Sequence, residues 1–283
     1  MIRIISDSTC DLPKELLERY NIDIIPLHIH LGEEEYEDGR NITPEEIYRW
    51  SDEHNTTPKT AAVSMMEVLD TFEPVLKNGD EIISFSISDS MSTTGNVMRM
   101  AVEELEAEQR VHVIDSANLS SGVGLLVLEA AKMAEEGMKA EEIVSVIETL
   151  KPRVRASFVV DTLTYLHRGG RCSSVAVLAG GVLKLHPKIV VENGKMSVQK
   201  KYRGKINSVV KTYVKEMEED LRMAKKDYVF LTHSGCDEEL IGEIKEYLKS
   251  LEYFEEIHVA RAGSVISSHC GPGTLGVLYI DGE

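Results

Sequence analysis

The chain has 283 residues, of which 42% are hydrophobic and 28% charged, as in ordinary folded proteins, and its length predicts two domains. Its formal charge of -17 repels phosphate backbones and anionic lipid surfaces, so we expect no nucleic acid partner and at most transient membrane contact. The four cysteines stand alone, without the spacing of a zinc site, which is typical of free thiols in a cytoplasmic protein and predicts no metal.

The first half of the chain alternates β-branched runs with amphipathic stretches. Strands are predicted at residues 2–6, 22–31, 82–87 and 111–114. Helices are predicted to begin after Thr43 and after Ser64, because each is followed three positions later by a glutamate that completes a capping box. Strands that alternate with helices favour a mostly parallel sheet covered by helices.

Ser92 and Ser120 each follow a predicted strand and precede a helical stretch. In open α/β sheets, such turns line the crevice beyond the carboxyl ends of the strands, where ligands usually bind. We therefore expect a ligand site near these two serines.

A second α/β unit is predicted to begin after Arg155, so the expected domains are residues 1–155 and 156–283. Asn193 and Gly194 are typical of a tight β-hairpin. Residues 167–171 are predicted to form a loop, and residues 262–280 a loop followed by a strand. The other predicted elements are helices at 206–222 and 238–248 and strands at 157–160, 228–231 and 257–260.

Three motifs have competing interpretations. Residues 271–276 match the dinucleotide fingerprint G-x-G-x-x-G, but a strand follows where a helix is required, so no such cofactor is expected. Asp7 and Asp11 are compatible with a phosphatase, although their spacing is unusual for one and capping of the turn and of the next helix is favoured. His269 precedes two glycines that permit close approach to a ligand, which favours a functional role.

Six segments spread over the whole chain resemble the DegV family. They are residues 6–13 (SDSTCDLP), 58–60 (PKT), 88–92 (SDSMS), 113–116 (VIDS), 166–171 (LHRGGR) and 269–276 (HCGPGTLG). The resemblance implies two α/β domains, with a mostly parallel sheet in the first and a mixed sheet in the second. A fatty acid would bind between the two domains.

The resemblance also implies a bacterial lipid-binding protein rather than an enzyme, with a long-chain fatty acid as its ligand and no cofactor. A separate ATP-dependent kinase subunit would convert the bound carboxylate to an acyl phosphate that feeds phospholipid synthesis. By the same resemblance, Thr60, Ser92 and His269 contact the carboxylate. Arg203 is implied in productive work with the kinase.

The chain departs from the family pattern beside two of these residues. Residues 61–63 are Ala-Ala-Val where Ser-Gln-Pro is usual, and residues 93–96 are Thr-Thr-Gly-Asn where Gly-Thr-Tyr-Gln is usual. These changes bear on pocket shape and acyl-chain preference.

Two other functions stay open from the sequence. One is an independent hydrolase or acyl transferase that uses Asp7 or Ser92 with His269 as the base. The other is a binding module for a different amphipathic acid.

Overall fold

The computed structural model describes residues 1–176 and 185–282. The strands are β1 (Ile2–Asp7), β2 (Asp23–Ile25), β3 (His28–Leu31), β4 (Glu34–Glu37), β5 (Lys59–Ala61), β6 (Glu81–Ser86), β7 (Val111–Asp115), β8 (Val154–Val159), β9 (Leu185–Glu192), β10 (Lys195–Arg203), β11 (Tyr228–His233), β12 (Glu256–Arg261) and β13 (Leu275–Ile280). The helices are α1 (Lys14–Arg19), α2 (Pro44–His54), α3 (Met65–Lys77), α4 (Thr94–Glu104), α5 (Ser121–Glu135), α6 (Ala140–Leu150), α7 (Thr164–Gly169), α8 (Ser173–Ala176), α9 (Ile206–Glu216), α10 (Glu218–Leu221), α11 (Glu238–Ser250) and α12 (Ser264–Cys270).

The first sheet is parallel, with strand order β2-β1-β6-β7. Its central strands carry apolar side chains that are fully buried, including Ile5, Ile82 and Phe85, as expected for a sheet covered on both faces. The predicted capping boxes are present at the starts of α2 and α3. The α/β class and the parallel first sheet are therefore confirmed.

The predicted strand at residues 22–31 is wrong in one respect, because it is two short strands in different sheets. β2 joins the parallel sheet, whereas β3 pairs with β4 and β5 in an antiparallel sheet of three strands. Pro26 lies between them and has no N–H to donate to a continuous ladder. In the small sheet, Ile29 of β3 lies opposite Thr60 of β5.

The second sheet is mixed, with strand order β10-β9-β8-β13-β11-β12. Asn193 and Gly194 both have positive φ angles in the turn between β9 and β10, as a tight hairpin of type I′ requires. The predicted helix at 206–222 is interrupted at Met217 and forms α9 and α10. The predicted domain boundary near Arg155 stays a prediction.

α5 contains a long continuous run of buried residues. Every residue from Ser121 to Ala131 is buried, and the helix packs against β1 and β6 of the first sheet and against β8 and β13 of the second. The two halves of the chain therefore share one apolar core along α5.

Two segments that were predicted to be loops contain helices. α7 covers residues 164–169 and ends at Gly170, which has a φ of 69° and acts as a left-handed C-cap. α12 covers residues 264–270 and places His269 in its last turn. Within the described residues, no helix combines the length and the apolar character needed to cross a membrane.

Candidate functional site

A cavity of about 510 Å³ lies between the two halves of the chain. From the first half it is lined by residues 60–62, at the end of β5, and by segments that follow the carboxyl ends of β2, β6 and β7, where ligands usually bind in an open α/β sheet. From the second half it is lined by α12, by Met196 of β10 and by Arg171. Its volume is within the usual range for a small-molecule site, about 300–1,000 Å³.

Apolar side chains form most of the cavity wall. They include Leu27, Ile87, Met91, Leu119, Met196 and Ile266. Leu119, Ile266 and Cys270 also border a smaller apolar void of about 30 Å³ that lies behind them. The walls therefore suit an apolar ligand that is larger than a solvent molecule.

Thr60 and His269 meet in the cavity across the two halves of the chain. The Oγ1 atom of Thr60 lies 2.8 Å from Nε2 of His269. Burial, aided by the positive charge of Arg171, lowers the pKa of His269 to about 4, so the imidazole is neutral at pH 7. Among the described residues, the buried Nδ1 atom of His269 has no hydrogen-bond partner.

Gly169 lies directly against this imidazole. A Cβ atom at position 169 would overlap Nδ1 of His269, so any larger residue would displace the ring. Because Gly169 has no side chain, it leaves room for the imidazole of His269.

Ser92 lines the same cavity and lies two residues before α4 begins. Its Oγ atom accepts a hydrogen bond from the N–H of Thr94 at 3.2 Å and shares a second with Oγ1 of Thr94 at 2.9 Å. The structure therefore brings Thr60, Ser92 and His269 to one cavity. Their contact with a carboxylate stays a prediction.

Arg203 lies outside the cavity. It is the last residue of β10, at the edge of the second sheet, and its side chain is exposed. The role of Arg203 in work with a kinase subunit stays a prediction.

Sequence reasoning missed two charged residues of the lining, Arg171 and Asp89. Nη1 of Arg171 donates to the carbonyl oxygen of Gly169 at 2.8 Å. Asp89 is paired with Arg99 at 2.7 Å. Both residues belong to segments that carry the family resemblance, and this was the signal available.

Asp7 is fully buried and does not belong to the cavity lining. It accepts hydrogen bonds from the N–H groups of Thr9 and Ile87 at 3.0 and 2.8 Å and caps the turn after β1, as predicted. Burial raises the pKa of Asp7 to about 6, against the opposing effect of these hydrogen bonds. In the described part of the chain, no hydrogen bond joins Asp7 or Ser92 to His269.

Capping of the next helix by Asp11 is wrong. The N-cap of α1 is Pro13, which has no side-chain acceptor, and the carboxylate of Asp11 turns instead to Ser120 and Gly263. Over residues 1–176 and 185–282, no group of three acidic, histidine or cysteine side chains could hold a metal ion.

Comparison with known proteins agrees with this architecture. The model of the DegV family, a family of uncharacterised proteins, matches residues 1–282. A DegV domain-containing protein of Caldanaerobacter subterraneus subsp. tengcongensis is 35% identical over 280 residues, which cover 98% of each chain.

Two solved structures are also similar. A fatty acid-binding DegV family protein from Thermus thermophilus has a TM-score of 0.91 and 30% identity, over 99% of both chains. A stearic acid-binding protein from Eubacterium ventriosum has a TM-score of 0.86 and 29% identity, over 99% of this chain and 98% of its own.

Proposed function

Because the chain belongs to the DegV family, we propose that it binds one long-chain fatty acid and presents the carboxylate to a separate kinase subunit, which forms an acyl phosphate. The observation that carries the proposal is an apolar cavity whose lining also holds the hydroxyl groups of Thr60 and Ser92 and the imidazole of His269. Fatty acid binding by the relatives from Thermus thermophilus and Eubacterium ventriosum supports it.

The acyl chain supplies the affinity. Burial of one methylene group is worth about 0.8 kcal/mol, so fourteen of them offer about 11 kcal/mol before the costs of association and ordering. The acyl chain would pack against the apolar side chains of the cavity wall, such as Leu27 and Ile266.

Uncharged donors suit the head group. When the neutral His269 donates its Nε2–H to Oγ1 of Thr60, the hydroxyl proton of Thr60 is free for the carboxylate. Ser92 can donate likewise, because its Oγ atom still accepts from the N–H of Thr94. Hydroxyl groups carry a smaller desolvation cost than a buried lysine.

The carboxylate can attack a phosphoryl group only if at least one of its oxygens is not held tightly by a cation. Arg171 brings a positive charge to the lining while one of its nitrogens is engaged with Gly169. A bidentate arginine pair would occupy both carboxylate oxygens and hinder their attack on a phosphoryl group.

The phosphoryl donor belongs to the partner in this proposal. The sequence has no G-x-x-x-x-G-K-[ST] loop, so ATP would be held by the kinase subunit. The protein itself would act in the cytoplasm as a carrier without a cofactor.

Mass spectrometry of an organic extract tests the ligand assignment. We expect the purified chain to release about one C14 to C18 fatty acid per molecule, because a cavity of about 510 Å³ lies within the range that encloses most of a ligand's surface. An unrelated protein purified in the same way is the control. Extracts without such an acid, or with a different class of amphipathic acid, would contradict the proposal.

Replacement of Arg203 tests the kinase role. We expect Arg203→Ala to leave the fatty acid dissociation constant within about twofold, since Arg203 is exposed and outside the cavity lining. Acyl phosphate formation with the kinase subunit should fall at least about tenfold, the effect of losing one good interfacial contact.

The matched control is Lys245→Ala. Lys245 lies on α11, which packs against β12 at the opposite edge of the second sheet from Arg203. A normal rate of acyl phosphate formation with Arg203→Ala, or an equal loss with Lys245→Ala, would remove the specific partner role of Arg203.

A further inference from the structure

Two buried carboxylates that the proposed ligand site does not use meet the start of the helix that carries His269. Oδ1 of Asp11 accepts a hydrogen bond from the N–H of Gly263 at 2.8 Å, and Oδ1 of Asp38 accepts one from the N–H of Ser264 at 2.7 Å. Both acids belong to the first half of the chain, whereas α12 belongs to the second. The side chains are 8% and 2% exposed, so the contact is closed to solvent.

The other oxygen of Asp11 holds a second wall of the cavity. It accepts a hydrogen bond from Oγ of Ser120, in the turn that brings Leu119 into the lining. Ser120 has a φ of 53° and a ψ of -143°, a strained conformation that normally only glycine adopts. The bond to Asp11 is one of the contacts that keep this turn in place.

Asp38 holds a third wall. Its Oδ2 atom accepts a hydrogen bond from Oγ of Ser8 at 2.9 Å, and that hydroxyl accepts one from the N–H of Leu27 at 3.1 Å. The N–H of Asp38 donates to the carbonyl oxygen of Leu27 at 2.9 Å. Leu27 belongs to the cavity lining, so Asp38 ties this wall to the start of α12.

The hydrogen bonds of Asp38 also connect the helix that carries His269 to the strand that carries Thr60. Leu27 directly precedes β3. β3 pairs with β5 such that Ile29 is opposite Thr60. Asp38 thus joins α12, which carries His269, to the pair of strands that carries Thr60.

We propose that Asp11 and Asp38 are positioning residues, which hold α12 against the first half of the chain and so set the contact between His269 and Thr60. We call this arrangement of Asp11, Asp38, Gly263 and Ser264 the α12 clamp. The effect of the clamp on lipid affinity rests on the proposed function, but its effect on the contact between His269 and Thr60 does not.

The clamp depends on acceptor geometry rather than on charge. Burial raises the pKa of Asp11 to about 8, and burial also raises the pKa of Asp38, although hydrogen bonds to both carboxylates act in the opposite direction. An asparagine at either position keeps a carbonyl oxygen for the backbone N–H, and its amide group can donate to the hydroxyl of Ser120 or Ser8. Asp11→Asn and Asp38→Asn should therefore retain the clamp, and the alanine variants should lose it.

Gly263→Ala tests the clamp without removing either carboxylate. A Cβ atom at position 263 would lie 3.1 Å from Oδ1 of both Asp11 and Asp38, closer than such contacts normally are. The φ of -64° at Gly263 is open to any residue, so the effect would come from this crowding. The matched control is Gly242→Ala on α11, where a Cβ atom meets nothing within 4 Å.

The experiment combines nuclear magnetic resonance of the histidine rings with lipid titration, on the full chain after removal of bound lipid. In protein labelled with ¹⁵N at histidine, His269→Asn assigns the Nε2–H signal of His269. We expect this signal to move in Asp11→Ala, Asp38→Ala and Gly263→Ala, and to stay in place in the two asparagine variants and in Gly242→Ala. Hexadecanoate dissociation constants should rise about 5- to 10-fold in the first group, the effect of losing about one hydrogen bond.

The outcomes separate the two proposals. An unmoved His269 signal in the folded Gly263→Ala and alanine variants would overturn the clamp, whatever the lipid result. Should the alanine variants fail to fold, Gly263→Ala decides the question by itself. A wild-type chain that binds no hexadecanoate, yet whose His269 signal responds as expected, would overturn the proposed function and leave the clamp standing.

Discussion

The dissociation constant of dodecanoate should exceed that of hexadecanoate by about 200-fold, because the longer acid buries four more methylene groups at about 0.8 kcal/mol each. The apolar wall and the void behind Leu119 and Ile266 provide the surface for these groups. Titration calorimetry of the delipidated chain with acids of even chain length measures the trend. It should also give a negative heat-capacity change that grows with chain length, the mark of apolar burial.

The control for the chain-length series is the methyl ester of hexadecanoate, which keeps the tail and lacks the anionic head group. We expect it to bind more weakly than the free acid but to follow the same dependence on tail length. Equal dissociation constants for the acids of twelve and sixteen carbons would mean that the tail lies outside the cavity, and the carrier function would then be wrong.

The second large effect is expected for Thr60→Val. Valine matches threonine in shape but has no hydroxyl group, so the fatty acid carboxylate loses a donor and Nε2 of His269 loses its partner at 2.8 Å. A hydrogen bond to a charged group is worth about 1.5–3 kcal/mol, so the dissociation constant of hexadecanoate should rise about 10- to 100-fold. The same titration measures it.

Thr60→Ser is the matched variant, since it restores the hydroxyl group and removes only a methyl group. Its dissociation constant should lie close to that of the wild type. If Thr60→Val retained full affinity while Thr60→Ser weakened binding, the methyl group rather than the hydroxyl group would matter, and the head-group assignment would need to move elsewhere in the cavity.

Local chemistry explains which elements could be predicted from the sequence. The capping boxes at Thr43 and Ser64 contain both hydrogen-bond partners within four residues. The turn at Asn193 and Gly194 depends only on the backbone preferences of these two residues. The parallel sheet follows from the alternation of strands and helices. The break at Pro26 was also readable in principle, since proline interrupts a ladder.

α12 shows why other elements could not be predicted. Its N-cap, Gly263, has no side chain, and the acceptors for its first N–H groups come from Asp11 and Asp38, more than 200 residues earlier in the chain. A helix whose caps are supplied by tertiary contacts has no start signal in its own sequence. For this reason the sequence predicts a loop where the structure has α12.

The cavity is likewise a property of the assembled fold. Its lining comes from short segments between Leu27 and Cys270, and none of them has an unusual composition. The resemblance to a family supplied Thr60, Ser92 and His269 as candidates, while their convergence on one cavity required the three-dimensional structure. Arg171 belongs to the LHRGGR segment that carries the resemblance, but nothing in the sequence indicates that it lines a cavity.

The burial of α5 restricts how a ligand could enter or leave the cavity. Since this helix is buried from Ser121 to Ala131 and touches both sheets, swinging the halves apart like a clamshell would expose its apolar surface to water. A ligand would therefore have to enter and leave through small displacements at the rim of the cavity, while α5 stays packed between the two sheets.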